Sequence, residues 1–310
     1  MFREIPLSIV RGFLMGAADI VPGVSGGTIA LVLGIYERLV ASIRAASSAL
    51  GSLVRLDFDR AKTRFGEVEW GFILPLGAGI LLAVVSLASL LQRLLDDYPE
   101  VMAALFLGLV AGSAVIAWKL LTVHDAKRLV IMVGVGIAVF LLLGLTESTS
   151  AETASQIVEP ALWAFFAAGA IAITAMILPG ISGSFILVIL GMYAAVLATV
   201  TDRDFLSLGV FMLGAIVGLA LFAQILHRAL SDHYNTVMAA LIGLMIGSLR
   251  VLWPWPLGVN STALELPGEH LAEAVVAAVV AFLVVLGIEA VGRRVSHRST
   301  ADEVEELTAD

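Results

Sequence analysis

Apolar residues fall into ten stretches parted by short polar connections, at about 5–20, 24–43, 71–95, 101–118, 128–145, 158–178, 181–200, 205–227, 236–253 and 271–291. Most approach the roughly 20 residues that a helix needs to cross a bilayer. Inside lipid every backbone N–H and C=O must be satisfied within the protein, which a helix does by itself. The pattern therefore predicts an all-α polytopic membrane protein with five segments in each half. A mean hydropathy of +1.01 and a charged fraction of only 14% agree with that class. The first stretch carries Arg11 and Asp19 and runs straight into a Pro-Gly motif, so it reads as part of the fold and not as a cleavable signal peptide.

Basic residues in short connections favour the cytoplasmic side and set the orientation. The stretch with Arg44, Arg55, Arg60, Lys62 and Arg64, the connection with Lys119, Lys127 and Arg128, and the tail with Arg293, Arg294 and Arg298 read as cytoplasmic. The connections 96–100, 146–159 and 254–270 have no basic residue apart from His270 and read as external. Both termini then lie in the cytoplasm, and the second half starts from the opposite side to the first. The expected organisation is an inverted repeat: residues 1–145, with a cytoplasmic loop near 45–70, then residues 146–292, then an acidic cytoplasmic tail, 293–310.

A duplication in the residues supports two copies. Pro22 to Tyr36 and Pro179 to Tyr193, 157 positions apart, share eight of fifteen residues: Pro, Gly, Ser, Gly, Ile, Leu, Gly and Tyr. Further on, Tyr98, Val101 to Leu105, Gly112-Ser113 and Trp118 recur as Tyr234, Val237 to Leu241, Gly247-Ser248 and Trp253, at offsets of 136 and then 135. The smaller offset places the extra residues of the first half in its polar stretch, Ser47 to Glu69. Each Pro-Gly-x-Ser-Gly turn interrupts an apolar stretch where a helix would otherwise continue. Breaks at corresponding places in two halves point to the binding site of a transporter. Whether each motif joins two full spans or tips a re-entrant hairpin leaves the same parity. The short first stretch with its two charges favours hairpins entering from opposite faces, with their loops near the midplane.

The chemistry of such a turn is that of a helix start. Backbone N–H groups there lack intrahelical partners and carry the positive end of the dipole, which suits an anion. Gly23, Gly26, Gly27, Gly180 and Gly183 let a phosphate or carboxylate approach the backbone, and Ser25, Thr28, Ser182 and Ser184 add hydroxyl donors. The bland reading is close packing of small residues between membrane helices. Charges in apolar stretches are costly and mark candidates: Arg11 and Arg38 for an anionic substrate, Asp19 and Glu37 for coupling to H+ or Na+. Asp19 either carries a coupling proton or caps the turn, and Glu37-Arg38 also fits an interfacial pair. The second half has Met176, Ala194 and Ala195 at the corresponding positions, so any charge-dependent function is asymmetric. Arg250, near Trp253 and Trp255, fits either an anionic headgroup or an ordinary interfacial arginine.

There is no cysteine, which excludes disulfides, thiolate metal sites and cysteine nucleophiles, and the five histidines are scattered without metal-ligand spacing. No cofactor, metal or nucleic-acid partner is expected. Ser25 and Ser182 each sit in a Gly-x-Ser-Gly turn, which keeps an intramembrane serine hydrolase as a rival; that chemistry needs a general base within reach of the hydroxyl. A carrier of a small soluble anion would use the same turns.

The run from Met15 to Thr28 with Gly34-Ile35-Tyr36-Glu37, paired with Leu178 to Ser184 and Gly191-Met192-Tyr193, resembles the PopT family of polyprenyl-phosphate translocases over nearly the whole chain. The resemblance implies translocation of undecaprenyl phosphate or a related polyprenyl phosphate from the outer to the cytoplasmic leaflet, recycling the lipid carrier of cell-envelope synthesis. It makes the chain a transporter of the cytoplasmic membrane and not an enzyme, and it carries over the motif residues just quoted.

Overall fold

Helices follow the apolar stretches, with breaks where glycine allows backbone that other residues resist. The computed structural model describes residues 4–20, 24–145, 160–268 and 270–309, so the expected external connection 146–159 lies outside the described residues. Twelve α-helices and no strand occur among them. In order these are α1 (Glu4–Asp19), α2 (Gly26–Val32), α3 (Tyr36–Val54), α4 (Phe58–Gly66), α5 (Trp70–Asp97), α6 (Pro99–Leu120), α7 (Ala126–Leu145), α8 (Leu162–Ile177), α9 (Gly183–Ile189), α10 (Tyr193–Thr201), α11 (Phe205–Ser248) and α12 (Leu271–Ala309).

The protein is a multi-pass membrane protein. Five helices are long and apolar enough to cross a bilayer: α5, α6, α7, α11 and the Leu271–Ala290 part of α12. Helices α1 and α8 have 16 residues each. That is about 24 Å, short of a hydrocarbon core of about 30 Å.

Three expectations change in detail. The stretches 24–43 and 181–200 are each split, α2 from α3 at Gly34 (φ +67°) and α9 from α10 at Gly191 (φ +66°), a left-handed conformation that glycine adopts without a Cβ penalty. The polar stretch near 45–70 is not a loop: α3 runs to Val54, and α4 is capped by the Asp57 carboxylate accepting from the Arg60 N–H at 3.1 Å. Its Ala, Leu, Arg and Lys residues are good helix formers whatever their polarity. The stretches 205–227 and 236–253 remain two helices that abut within α11 at a kink at His233 (φ −140°, ψ 44°), with residues 228–232 helical where the pattern placed a connection. Tyr98, 135 residues earlier, separates α5 from α6 with nearly the same backbone (φ −136°, ψ 56°).

Packing repeats along with sequence. Helix α1 lies against α5 with Gly12 at the Leu76 carbonyl and Gly79 at the Ile9 carbonyl; α8 lies against α11 with Gly169 at the Phe211 carbonyl and Gly214 at the Phe166 carbonyl. Each residue of the second set is 157 or 135 positions after its counterpart. The later helices exchange partners between halves. Helix α6 packs on α12, with Gly108 at Ala278 and Gly112 at Phe282, while α11 packs on α7, with Gly243 at Met132 and Gly247 at Gly136. Small residues let these backbones touch, the usual basis of helix association in lipid. A Cβ on Gly214 would lie 2.0 Å from the Phe166 carbonyl oxygen. Gly214→Val is therefore expected to cost at least the 1–3 kcal/mol typical of overpacking. A lowered thermal midpoint of the purified protein would register it; an unchanged midpoint would show the α8–α11 contact to be loose.

Candidate functional site

The two Pro-Gly motifs meet. Ser25, in extended conformation (φ −125°, ψ 136°), is the N-cap of α2, its Oγ accepting from the Gly27 N–H at 3.1 Å. The same hydroxyl donates across to the Met176 carbonyl at 2.9 Å, at the end of α8. One turn into α2, Thr28 Oγ1 accepts from the Gly180 N–H at 2.9 Å. At the start of α3, the Tyr36 hydroxyl donates to the Ile177 carbonyl at 3.2 Å. Ser25 and Thr28 are fully buried and Tyr36 nearly so. Thus three side chains of the first motif hold the backbone at Met176, Ile177 and Gly180, at and just before the second motif.

Glycine makes the approach possible from both sides. A Cβ on Gly27 would sit 2.6 Å from the Ile177 carbonyl oxygen. Gly180 has φ +87°, and a Cβ there would be 2.8 Å from Met245 Cα and 2.9 Å from Ser248 Oγ on α11. The motif junction is therefore seated against the far part of α11, next to the buried Leu241, Ile242 and Met245.

The second motif does not return the clamp. Ser182 makes no capping bond to α9; its Oγ lies 2.8 Å from Ser184 Oγ, and Gly183 faces the Ala172 carbonyl. Tyr193, the counterpart of Tyr36, is 45% exposed. The position of Thr28 is filled by Phe185.

Asp19 occupies the start of α2. Its Oδ1 accepts from the Gly26 N–H at 2.6 Å, and a Cβ on Gly26 would meet that carboxylate at 2.5 Å. A negative group thus already sits where an anion was expected, and the N–H groups of Gly26, Gly27 and Gly180 all have partners within the protein. Met176, at the position of Asp19, supplies only its carbonyl. Gly23 lies outside the described residues.

The other charged candidates are elsewhere. Arg38 is bound by two carboxylates, Glu69 at 2.6 Å and Glu4 at 3.0 Å, with its guanidinium over the Phe72 ring at 4.3 Å. It ties the starts of α1, α3 and α5 together, and its partners are not the neighbouring Glu37. Arg11 is half-buried on α1, with Glu4 and Arg38 the charges that act on it. Glu37 is exposed and lies near Tyr234 of α11, on which its charge acts. Neither joins the motif junction. Sequence reasoning named Tyr36 only as a repeated residue and missed its hydroxyl as a clamp; its burial between two apolar helices was not in the pattern.

The serine-hydrolase arrangement is not assembled: the Ser25 proton is directed at a main-chain carbonyl, and His227 Nε2 lies beside Arg44 Nη1 at 3.3 Å. Among the described residues no group of acidic residues and histidines is arranged to hold a metal ion.

Residues 15–267 match the VCA0040-like, undecaprenyl phosphate translocase-like family. The chain belongs to this family. Two relatives are each named polyprenyl-phosphate transporter. The one from Vibrio cholerae is 36% identical over 262 residues, covering 83% of this chain and 82% of its own. The one from Staphylococcus aureus is 32% identical over 261 residues, covering 80% and 86%. No solved structure matches the chain.

Proposed function

We propose that the protein moves a polyprenyl phosphate from the outer to the cytoplasmic leaflet of the cytoplasmic membrane, so that the carrier lipid can be used again in envelope synthesis. The names of its relatives support the substrate. The observation that carries the mechanism is the clamp of Ser25, Thr28 and Tyr36 on the backbone from Met176 to Gly180, which closes the centre of the molecule with bonds that can be exchanged.

In this reading α1–α2 and α8–α9 are re-entrant hairpins of two inverted repeats, and both termini are cytoplasmic. A phosphate passing the junction replaces internal partners: Asp19 at the Gly26 N–H, and the hydroxyls of Ser25, Thr28, Ser182 and Ser184 at neighbouring donors. Gly23, Gly26, Gly27, Gly180 and Gly183 give it room. A carboxylate and a phosphate repel each other at one donor, so protonation of Asp19 frees the place and couples lipid movement to H+. Arg11 and Arg38, with Glu37, lie along the path on the α1–α3–α5 side.

The test is lipid binding to the purified chain by native mass spectrometry, comparing undecaprenyl phosphate, undecaprenol and inorganic phosphate. Selective binding of the phosphorylated lipid is expected, weakened about tenfold in the Ser25→Ala, Ser182→Ala double variant, as befits loss of one or two buried hydrogen bonds. Equal affinity in that variant would remove the motifs from the site, and binding of free phosphate alone would make the protein a soluble-anion carrier.

A further inference from the structure

A second feature lies away from the motif junction, where α11 meets α7. Arg250 follows the end of α11 and lines a cavity of about 530 Å³ with Phe140, Leu249, Trp253, Leu266 and Glu265. Its Nε donates to the Thr262 carbonyl at 3.0 Å, which fixes the plane of the group, and Cζ stands 4.9 Å from the Phe140 ring centroid. Gly144 makes the seat: a Cβ there would lie 2.7 Å from Arg250 Cζ and 2.8 Å from Nη2. No ion pair with Arg250 occurs among the described residues, although the exposed Glu265 shares the cavity.

The cavity does not end at the arginine. Phe140 also lines a second, apolar cavity of about 250 Å³ on the α7–α11 seam, with Met132, Val133, Gly136, Ile137 and Ile246. Together they form a fixed planar cation at one end and an uncharged trough running away from it. Both volumes are near the range of small-ligand sites. A guanidinium held by one nitrogen offers its others in the geometry that binds phosphate in pairs.

The matching seam lacks these parts. The contacts of Gly108 and Gly112 with α12 correspond to those of Gly243 and Gly247 with α7, which aligns Arg250 with Val115, Phe140 with Leu286 and Gly144 with Ala290. A packing requirement would be met equally by the apolar set. The arginine, the ring below it and the space that seats it occur together on one side alone.

We infer that the Arg250 cavity and the α7–α11 trough dock the phosphomonoester head and first prenyl units of a polyprenyl phosphate entering from the leaflet on that side. This rests on the proposed function for the identity of the lipid, and in the expected orientation the entry leaflet is the outer one. The phosphate stays beside Arg250 at the water boundary while the remaining chain lies in lipid, before the head reaches the motif junction.

Binding of undecaprenyl phosphate, undecaprenol and inorganic phosphate to the full chain in nanodiscs tests the assignment. Arg250→Val, the residue of the matching seam, is expected to weaken undecaprenyl phosphate about tenfold or more and leave undecaprenol unchanged; Arg250→Lys should regain part of the loss, and Gly144→Ala should lose part by displacing the guanidinium. An otherwise unaltered chain with a photoreactive amino acid at Val133 should crosslink to undecaprenyl phosphate, a readout independent of whether Arg250→Val folds. Native affinity in Arg250→Val, or no crosslink at Val133 in a chain that binds the lipid, overturns the docking site while leaving the transport reading in place. Wild-type protein that binds no phosphorylated lipid overturns both.

Discussion

Gly180→Ala is expected to abolish lipid movement and lower the thermal midpoint more than any other single methyl addition in the motifs. The backbone at this residue has φ +87°, and the new methyl would meet Met245 Cα at 2.8 Å, a main-chain atom that cannot rotate away. The left-handed conformation alone costs a non-glycine residue about 1–2 kcal/mol. Moving the loop to relieve the overlap would also draw the Gly180 N–H from Thr28 Oγ1, now 2.9 Å away, and a buried N–H left alone costs about 1–3 kcal/mol. Thr28→Val separates the two effects, since it removes the acceptor and keeps the loop's shape. Measured together by thermal unfolding and by a leaflet-exchange assay in proteoliposomes, Gly180→Ala should be worse than Thr28→Val in both. Wild-type exchange in Gly180→Ala would mean that the junction moves as a rigid plug, without the clamp being remade.

Asp19→Asn is expected to flatten the pH dependence of transport. Asparagine has nearly the same shape, and its carbonyl oxygen can accept from the Gly26 N–H as Asp19 Oδ1 does at 2.6 Å, so the turn should persist. What disappears is the charge that must be neutralised before a phosphate takes the donor. The wild-type rate should fall as pH rises, because the ionised carboxylate then keeps its place, by up to about tenfold per pH unit if one proton controls the step. The variant should show one rate across that range. A slope unchanged by the substitution would assign proton coupling to another group, and Glu37 beside Tyr234 would be examined next.

Much of this architecture could be read from residue order because its breaks are chemical. Pro179-Gly180 parts α8 from α9 for reasons visible in the residues, but the breaks of α2–α3 at Gly34 and of α9–α10 at Gly191 fall inside stretches read as continuous. The joining of two apolar stretches through Arg228 to Asn235 was hidden, since hydrophilic residues leave a lipid-spanning pattern and yet stay helical up to His233. The exchange of partners by α6 and α11 was hidden too: Gly108 and Gly243 sit in equivalent surroundings and say nothing about which half supplies the opposing helix. At the motif junction the residue types were legible and their employment was not. Ser25 and Ser182 sit in the same Pro-Gly-x-Ser-Gly turn, but only Ser25 reaches across, because Thr28 and Tyr36 hold the chain in place beside it. Beside the unmatched charges of the first half, Thr28 against Phe185 was a further sign of that asymmetry in the sequence.

The exchange of helices between halves bears on how the chain is made. Helix α6 is synthesised early, but the surface of Gly108 that it buries is completed by Ala278 of α12, which is made after α1 to α11. Until then a groove shaped for backbone faces lipid or the insertion machinery, and the first half cannot reach its final form as an autonomous unit. The α6 seam closes only once α12 has been made, so a product truncated before α12 is left with that seam unfilled and is a ready target for membrane proteolysis.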